Sequence, residues 1–202
     1  MYVKLAGFME YRVSPRDLLD TLEAWDAALS GRGKIRLIAC GGTALTLLGH
    51  KESTKDVDFL VPDEGEYKRL IGFLKQAGYG EVTAYGWKRS GENMVFDLYP
   101  GRKVYSTELL SSPLARGGHK KIRDWRKIYL GVLNPADLII SKMFRGTEVD
   151  IGDSLVLLEK EKVDLKKLEK RYRETAGFDV SEERVLNNFT VLMKRFRKFG
   201  GR

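Results

Sequence analysis

The chain has 202 residues, of which 43% are hydrophobic and 32% are charged. These proportions are typical of a folded protein with a core and exclude an intrinsically disordered chain. No apolar run approaches the ~20 residues needed to cross a bilayer, and early charges interrupt the N-terminal segment that would form a signal-peptide core. The net charge of +8 favours an anionic partner such as a nucleotide or RNA, although solubility alone would also explain it.

The single cysteine, Cys40, excludes an intrachain disulfide and a cysteine-based zinc site. Together with the missing apolar run, this composition predicts a cytoplasmic protein that does not associate with membranes. One glutamine and four asparagines stand against abundant lysine, arginine and glutamate, a balance that favours a thermophilic source.

The predicted elements of the first half alternate between helices and strands. Ser14 and Pro15 have the residue types of an N-cap and a first helical position, and apolar residues at helical spacing follow them. The pattern predicts a helix at about 15–29, a strand at 34–40, a short helix at 43–49, a strand at 57–61 and a helix at 64–78.

The second half changes from strands to helices. Two strands are predicted around a turn at 90–93, and a polar hairpin follows over 116–133. Helices are predicted at about 134–144, 151–160, 164–174 and 181–198. The fold class is therefore α+β, a mixed sheet flanked by helices. We expect an α/β core with an N-terminal helix over residues 1–132 and a helical region over 133–202.

Two aspartates raise the question of function, because they flank one valine in an otherwise apolar run. Asp56 and Asp58 would share one face if both lay on a strand, and two adjacent carboxylates repel each other unless a cation lies between them. Asp97 lies in another apolar run and could supply a third carboxylate. Such oxygen ligands suit magnesium, so the three aspartates are candidate metal ligands and catalytic residues.

Gly41 and Gly42 stand between a predicted strand and a predicted helix. Glycines at such a junction let the backbone approach a ligand closely, and a helix N-terminus can bind phosphate. Thr43 could add a hydroxyl group. Each signal has an ordinary explanation when it stands alone, since a glycine pair is usually a turn and Asp-x-Asp is often a solvated edge.

The stretch IACGGTALTLLGHKESTKDVDFLV resembles the signature of the polymerase-beta-like nucleotidyltransferase superfamily. In that signature two small residues precede a gap of nine to thirteen residues and then an Asp-apolar-Asp unit. Here the gap is thirteen residues, 43–55. The form is similar to a branch of small prokaryotic enzymes that includes abortive-infection and toxin–antitoxin nucleotidyltransferases.

A second segment, NPADLIISKMFRGTEVDIGDSLVLL, also resembles this branch. Its pattern is a Pro-x-Asp-Leu-x-x-x-Lys helix followed by Asp-x-x-Asp, which corresponds here to residues from Pro135 to Lys142 and to Asp150 and Asp153. Val149 departs from the pattern, because the branch often has a basic residue at that place. The resemblance covers roughly residues 34–160.

The resemblance implies a metal-dependent transfer of a nucleoside monophosphate from an NTP to a hydroxyl acceptor. Asp56, Asp58 and Asp97 would hold Mg²⁺, with Mn²⁺ as a substitute. The phosphates would be bound by Gly41, Gly42, Thr43, Lys142 and Asp150. The acceptor could be RNA, such as a tRNA 3′ end, and a protein side chain or a small molecule is an open alternative. A toxin would be expected to have an antitoxin partner.

Other interpretations of these residues remain open. Lys142 could lie on the solvated face of its helix, and Asp150 and Asp153 could cap the next helix. Basic clusters at 116–127 and 193–202 could contact RNA or simply be solvated. The alternative function is a catalytically inactive nucleotide-binding or RNA-binding module on the same fold.

Overall fold

A computed structural model describes residues 11–198 and Gly200. The ends of both expected regions, residues 1–10, 199, 201 and 202, lie outside this part of the chain. The helices are α1 Pro15–Ala28, α2 Gly41–Leu47, α3 Glu64–Gln76, α4 Pro135–Arg145, α5 Glu148–Lys160, α6 Leu165–Ala176 and α7 Glu182–Lys198. The strands are β1 Ile35–Ala39, β2 Val57–Val61, β3 Tyr79–Glu81, β4 Gly86–Arg89, β5 Phe96–Pro100, β6 Lys103–Val104, β7 Thr107–Glu108, β8 His119–Asp124 and β9 Ile128–Leu133.

The main sheet has seven strands in the order β3-β4-β5-β2-β1-β9-β8. Strand β1 lies antiparallel to β2 and parallel to β9, and β2 lies parallel to β5. The sheet is therefore mixed, with helices packed on it and a helical C-terminal part, as the sequence predicted. Strands β6 and β7 form a separate two-stranded hairpin next to β5.

Helix α1 begins where the sequence predicts because Ser14 and Asp17 form a capping box at its N-terminus. Its apolar face packs on the sheet through Trp25, whose ring lies 4.5 Å from Phe96 and 5.6 Å from Tyr79. The Trp25 ring also meets Phe73 of α3 at 6.1 Å. This aromatic cluster joins α1, α3 and the sheet on the face opposite to Asp97, since Phe96 and Asp97 are consecutive strand residues.

A buried carboxylate that the sequence did not single out ties α1 to the sheet. Asp26 is 8% exposed and accepts hydrogen bonds from the backbone N–H groups of Lys127 and Ile128, at 2.5 and 2.7 Å. These donors lie at the start of β9, so Asp26 fixes where α1 meets that strand.

Several predicted element boundaries differ from the structure. Helix α2 begins at Gly41 rather than at residue 43, so that both glycines belong to its first turn. The first of the two strands predicted around residues 90–93 is interrupted by a turn, because Gly86 donates a backbone hydrogen bond to Thr83 and starts a new strand. Helix α5 begins at Glu148, earlier than predicted, because Thr147 and Asp150 form a capping box.

The C-terminal helices are joined to each other and to the sheet by buried contacts. Asp137 of α4 is 2% exposed and forms a bidentate ion pair with Arg171 of α6, at 2.7 and 3.0 Å. Tyr172 is fully buried and donates its hydroxyl to the backbone carbonyl of Val185. Helix α4 also contacts α2. The division at residues 132 and 133 stays a prediction. None of the described helices is long and apolar enough to span a bilayer.

Replacing Asp26 by alanine should destabilise the protein, because two buried N–H groups at the start of β9 would lose their acceptor. The expected loss in the free energy of unfolding is about 1–3 kcal/mol, measured by urea denaturation. Asp20→Ala is the matched control, since Asp20 lies on the exposed side of the same helix. Equal effects of the two substitutions would contradict the anchoring role of Asp26.

Candidate active site

Asp58 and Asp97 lie side by side in the centre of the sheet. They occupy opposite positions in the register of the parallel strands β2 and β5, so their side chains extend from the same face. Asp58 is only 3% exposed, whereas Asp97 is half-buried. Asp56 immediately precedes the first residue of β2, which spans residues 57–61 as predicted, so only Asp58 of the Asp-x-Asp unit lies on the strand.

Two close contacts fix the carboxylate of Asp58. A Cβ atom added at Gly41 would lie 2.3 Å from Asp58 Oδ2, and Gly41 has a φ of +56°, so no other residue fits without strain. On the other oxygen, the hydroxyl of Tyr105 donates a hydrogen bond to Asp58 Oδ1 at 2.5 Å. Tyr105 belongs to the turn between β6 and β7, a segment that the sequence did not single out.

The electrostatic environment of the aspartates favours a bound cation. The pKa of Asp58 is raised to about 7. Burial is the main cause and the neighbouring Asp97 contributes to the rise, while the hydrogen bond from Tyr105 and the charges of Arg145 and Lys142 oppose it. Burial also raises the pKa of Asp97, with a contribution from Asp56. Between residues 11 and 198, no lysine or arginine forms an ion pair with Asp58. A hard dication would relieve this repulsion.

Residues in the first turn of α2 contact strand β2 and the residues just before it. Thr43 is fully buried, and its hydroxyl accepts the N–H of Asp58 at 2.9 Å and donates to the carbonyl of Asp56 at 3.2 Å. Gly42 packs against Thr54, whose Oγ1 would lie 2.6 Å from an added Cβ. Cys40, the N-cap residue, makes no side-chain hydrogen bond to this turn.

Lys142 and the aspartates of α5 form a buried ionic network. Lys142 is 2% exposed and lies 2.7 Å from Asp153 and 3.9 Å from Asp150. The interpretation of Lys142 as a solvated residue is therefore wrong. Asp150 caps α5 through Thr147, as one sequence interpretation suggested, and Asp153 also pairs with Lys51 at 2.6 Å.

Arg145 is the second residue near the carboxylates that the sequence did not single out. Its guanidinium lies over the ring of Tyr105 at 4.2 Å and donates to Asp150 at 2.6 Å. It lies one helical turn after Lys142, on the α4 face that carries the ionic network. The only signal in the sequence was this spacing, which does not show that Arg145 contacts Tyr105, because that contact depends on tertiary packing. Val149, where the related branch often has a basic residue, is 67% exposed.

The carboxylates of Asp56, Asp58 and Asp97 are suitable ligand types for a dication, although in the described chain they do not form a complete ligand shell. Within the described ranges, no three His, Cys, Asp or Glu side chains converge closely enough to hold a metal ion. Asp58 and Asp97 nevertheless present oxygen donors from adjacent strands, and Asp56 lies near enough to affect the pKa of Asp97. Buried carboxylates of this kind are the ligands that Mg²⁺ prefers.

Comparison with a known structure supports the fold. The crystal structure of an antigenic nucleotidyltransferase-like protein from Paracoccidioides brasiliensis superposes with a TM-score of 0.53 at 12% identity, and the match covers 92% of this chain and 91% of that chain. This chain has a nucleotidyltransferase-like fold.

Further similarities are partial. Residues 118–199, less than half of the chain, match a family model described as a nucleotidyltransferase of unknown function (DUF6036). The crystal structure of ANT(2″)-Ia in complex with adenylyl-2″-tobramycin matches over 90% of this chain and 95% of that chain, with a TM-score of 0.42 and 16% identity. No curated protein matches the sequence.

Replacing Lys142 by methionine should destabilise the protein, because the buried Asp153 and Asp150 would lose a counter-charge. The expected loss is about 3 kcal/mol in the free energy of unfolding. Lys170→Met is the matched control, because Lys170 is 80% exposed, and it should change stability by no more than about 0.5 kcal/mol. A loss for Lys142→Met as small as that of the control would show that the network does not stabilise the fold.

The stability of the metal-free protein should depend on the ionisation of Asp58. Because its pKa is raised to about 7, the folded state binds the proton more tightly than the unfolded chain. The stability contributed by this proton is therefore lost as the pH rises from about 4 through about 7, with no further loss at higher pH. The Asp58→Asn variant has no ionisable group at this position. At pH 8 it should therefore be more stable than the wild type by about 2–4 kcal/mol, and at pH 4 the two should be similar.

Urea denaturation in the presence of EDTA measures the free energy of unfolding at both pH values. Asp20→Asn, on the exposed face of α1, controls for the loss of one carboxylate elsewhere. A constant difference between Asp58→Asn and the wild type at the two pH values would contradict the assigned ionisation.

Proposed function

We propose that this protein is a metal-dependent nucleotidyltransferase that transfers a nucleoside monophosphate from an NTP to a hydroxyl group. One observation carries the proposal: Asp58 and Asp97 stand in register on adjacent parallel strands, and Asp58 is buried without an ion-pair partner among residues 11–198. Two such carboxylates are costly for folding, and a reaction that uses a dication and a polyphosphate gives them a purpose.

In this proposal Asp56, Asp58 and Asp97 hold Mg²⁺, for which Mn²⁺ can substitute. The bound cation supplies charge neutralisation at the phosphates. Asp97 is the general base, because its half-buried carboxylate has a raised pKa and therefore a higher proton affinity. It takes the proton of the acceptor hydroxyl as the hydroxyl oxygen bonds to the α-phosphorus. The bond from that phosphorus to the bridging oxygen breaks, and pyrophosphate leaves.

The phosphate contacts proposed for Gly41, Gly42 and Thr43 use backbone atoms. The hydroxyl of Thr43 already serves Asp56 and Asp58, whereas the N-cap residue Cys40 makes no side-chain hydrogen bond to this turn of α2. Lys142 and Asp150 are enclosed in the ionic network. We therefore propose that these two act on the nucleotide indirectly, Lys142 through its positive charge near Asp58 and Asp150 through Arg145.

RNA is the acceptor that the charge distribution favours. Strand β8 is an edge strand of the main sheet, and Lys120, Lys121 and Arg123 on it are exposed. A row of exposed cations can follow an RNA backbone. If the protein is a toxin that acts on a tRNA 3′ end, an antitoxin partner is expected.

The same basic strand favours one alternative, an RNA-binding module without catalysis. Arg123 lies over the ring of Trp125 at 5.3 Å, an arrangement also used to stack bases. Lysines on edge strands have a further ordinary use, since they prevent pairing with other sheets. An RNA-binding module without catalysis predicts RNA binding that weakens with salt and does not depend on Mg²⁺ or Asp58.

Incubation with each α-labelled NTP, Mg²⁺ and total RNA tests the proposal. We expect label to appear in RNA with the wild type and to fall by at least about 100-fold in Asp58→Asn and in Asp97→Asn. Asp20→Asn is the matched control and should transfer label like the wild type, because Asp20 lies on the exposed side of α1.

The outcomes separate the two functions. Transfer that persists in Asp58→Asn would contradict the assignment of the site. RNA binding without transfer, equal in the wild type and in Asp58→Asn, would favour the binding module. Circular dichroism of each variant excludes unfolding as the cause of a lost signal.

A further inference from the structure

We propose that Tyr105 is a positioning residue of the metal centre, which holds Asp58 in the orientation that binds the dication and is itself held by Arg145. This inference rests on the proposed function, because it assumes that Asp58 is a metal ligand. It adds a residue from the β6–β7 hairpin, which lies outside every motif in the sequence.

The contact with Asp58 has the geometry of a supporting hydrogen bond. The Tyr105 hydroxyl donates to Oδ1 at 2.5 Å, while Oδ2 packs against Gly41. An ionised carboxylate has about four lone-pair sites, so one hydrogen bond leaves the others available to a cation. Ligating carboxylates are commonly oriented by such a hydrogen bond from outside the ligand shell.

The backbone conformation of Tyr105 is one that tyrosine rarely adopts in a turn. Contacts with neighbouring residues must therefore hold Tyr105 in this conformation. Tyr105 and Ser106 form the two-residue turn between the paired residues Val104 and Thr107. Tyr105 has a φ of +52°, a value that glycine or asparagine normally takes at such a turn. A non-glycine residue there is strained and persists only where other contacts determine the conformation.

Those contacts come from the ring of Tyr105. The guanidinium of Arg145 lies 4.2 Å from the ring centroid, and the ring of Tyr99 lies 5.0 Å from it. Tyr99 is on β5, on the same face as Asp97, since the two are separated by one residue. The ring is thus held between strand β5, which carries Asp97, and helix α4.

Arg145 is fixed in turn by the capping box of α5. It donates to Asp150 at 2.6 Å, and Asp150 accepts from the hydroxyl of Thr147 at 2.8 Å. The Nε atom of Arg145 is buried and has no hydrogen-bond partner in the described chain, so stacking on Tyr105 and the bond to Asp150 define its place. A continuous series of contacts therefore runs from the start of α5 to Asp58.

The test is the affinity of the full-length protein for Mn²⁺, measured by electron paramagnetic resonance at fixed pH. Tyr105→Phe keeps the ring and its packing but removes the hydroxyl. We expect its Mn²⁺ affinity to be about 10–100-fold weaker than that of the wild type, and circular dichroism in EDTA should show that the variant is folded. Tyr129→Phe is the matched control, because its hydroxyl contacts His119 instead, and its affinity should be unchanged.

A second variant tests the link to Arg145. Arg145→Lys keeps the positive charge but loses the planar stack on Tyr105. It should also weaken Mn²⁺ binding, and combining it with Tyr105→Phe should add little, because both act on one hydrogen bond. Fully additive effects would contradict the series of contacts from Arg145 through Tyr105.

The outcomes distinguish this inference from the proposed function. Unchanged Mn²⁺ affinity in Tyr105→Phe would overturn the positioning role, and tighter binding would show that the hydroxyl competes with the ion. In either case the proposed function would stand if Mn²⁺ binding is lost in Asp58→Asn. If the wild type binds no Mn²⁺, or if Asp58→Asn binds it equally well, the metal site and this inference both fail.

Discussion

The arrangement around the candidate site depends on one costly feature, a carboxylate buried in the middle of a sheet. Asp58 lies on β2, between β1 and β5, where an apolar residue would be expected to be more stable. Each neighbour is adapted to it. Gly41 lacks the side chain that would collide with it, Thr43 binds its backbone N–H, and Tyr105 donates to its oxygen. The local fold is thus built around a charge that only a cation or a proton can neutralise.

The positive charges near Asp58 are kept at a distance by their own partners. Lys142 is paired with Asp153, and Arg145 is paired with Asp150, so neither forms a direct ion pair with Asp58. A direct pair would neutralise the carboxylate and remove its attraction for a dication. The buried network on α4 and α5 therefore supports the fold and leaves Asp58 chemically available.

Much of this arrangement could be predicted from sequence. Short-range patterns gave the capped helices and the strand at Asp58, and the position of Asp97 inside a second apolar run marked it as a candidate ligand. The burial of Lys142 in an ion pair with Asp153 could not be predicted, because it depends on α4 and α5 packing against each other. The capping role of Asp150, in contrast, was one of the sequence interpretations. Tyr105 lies in no sequence pattern, and Arg145 shows only its helical spacing from Lys142. They are 40 positions apart and meet only through tertiary packing, which local periodicity does not encode.

The sheet order also has a consequence for how the protein forms during synthesis. Strand β1 lies between β2 and β9, and Ile35 pairs with Ile128, more than 90 residues further along the chain. Until β9 leaves the ribosome, β1 has one open edge, and the acceptor site that Asp26 offers to β9 is unfilled. Contacts of such long range are slow to form. The nascent N-terminal half therefore exposes an edge of β1 that can pair with a wrong strand. This exposure ends only when the β8–β9 hairpin has been synthesised and β9 pairs with β1.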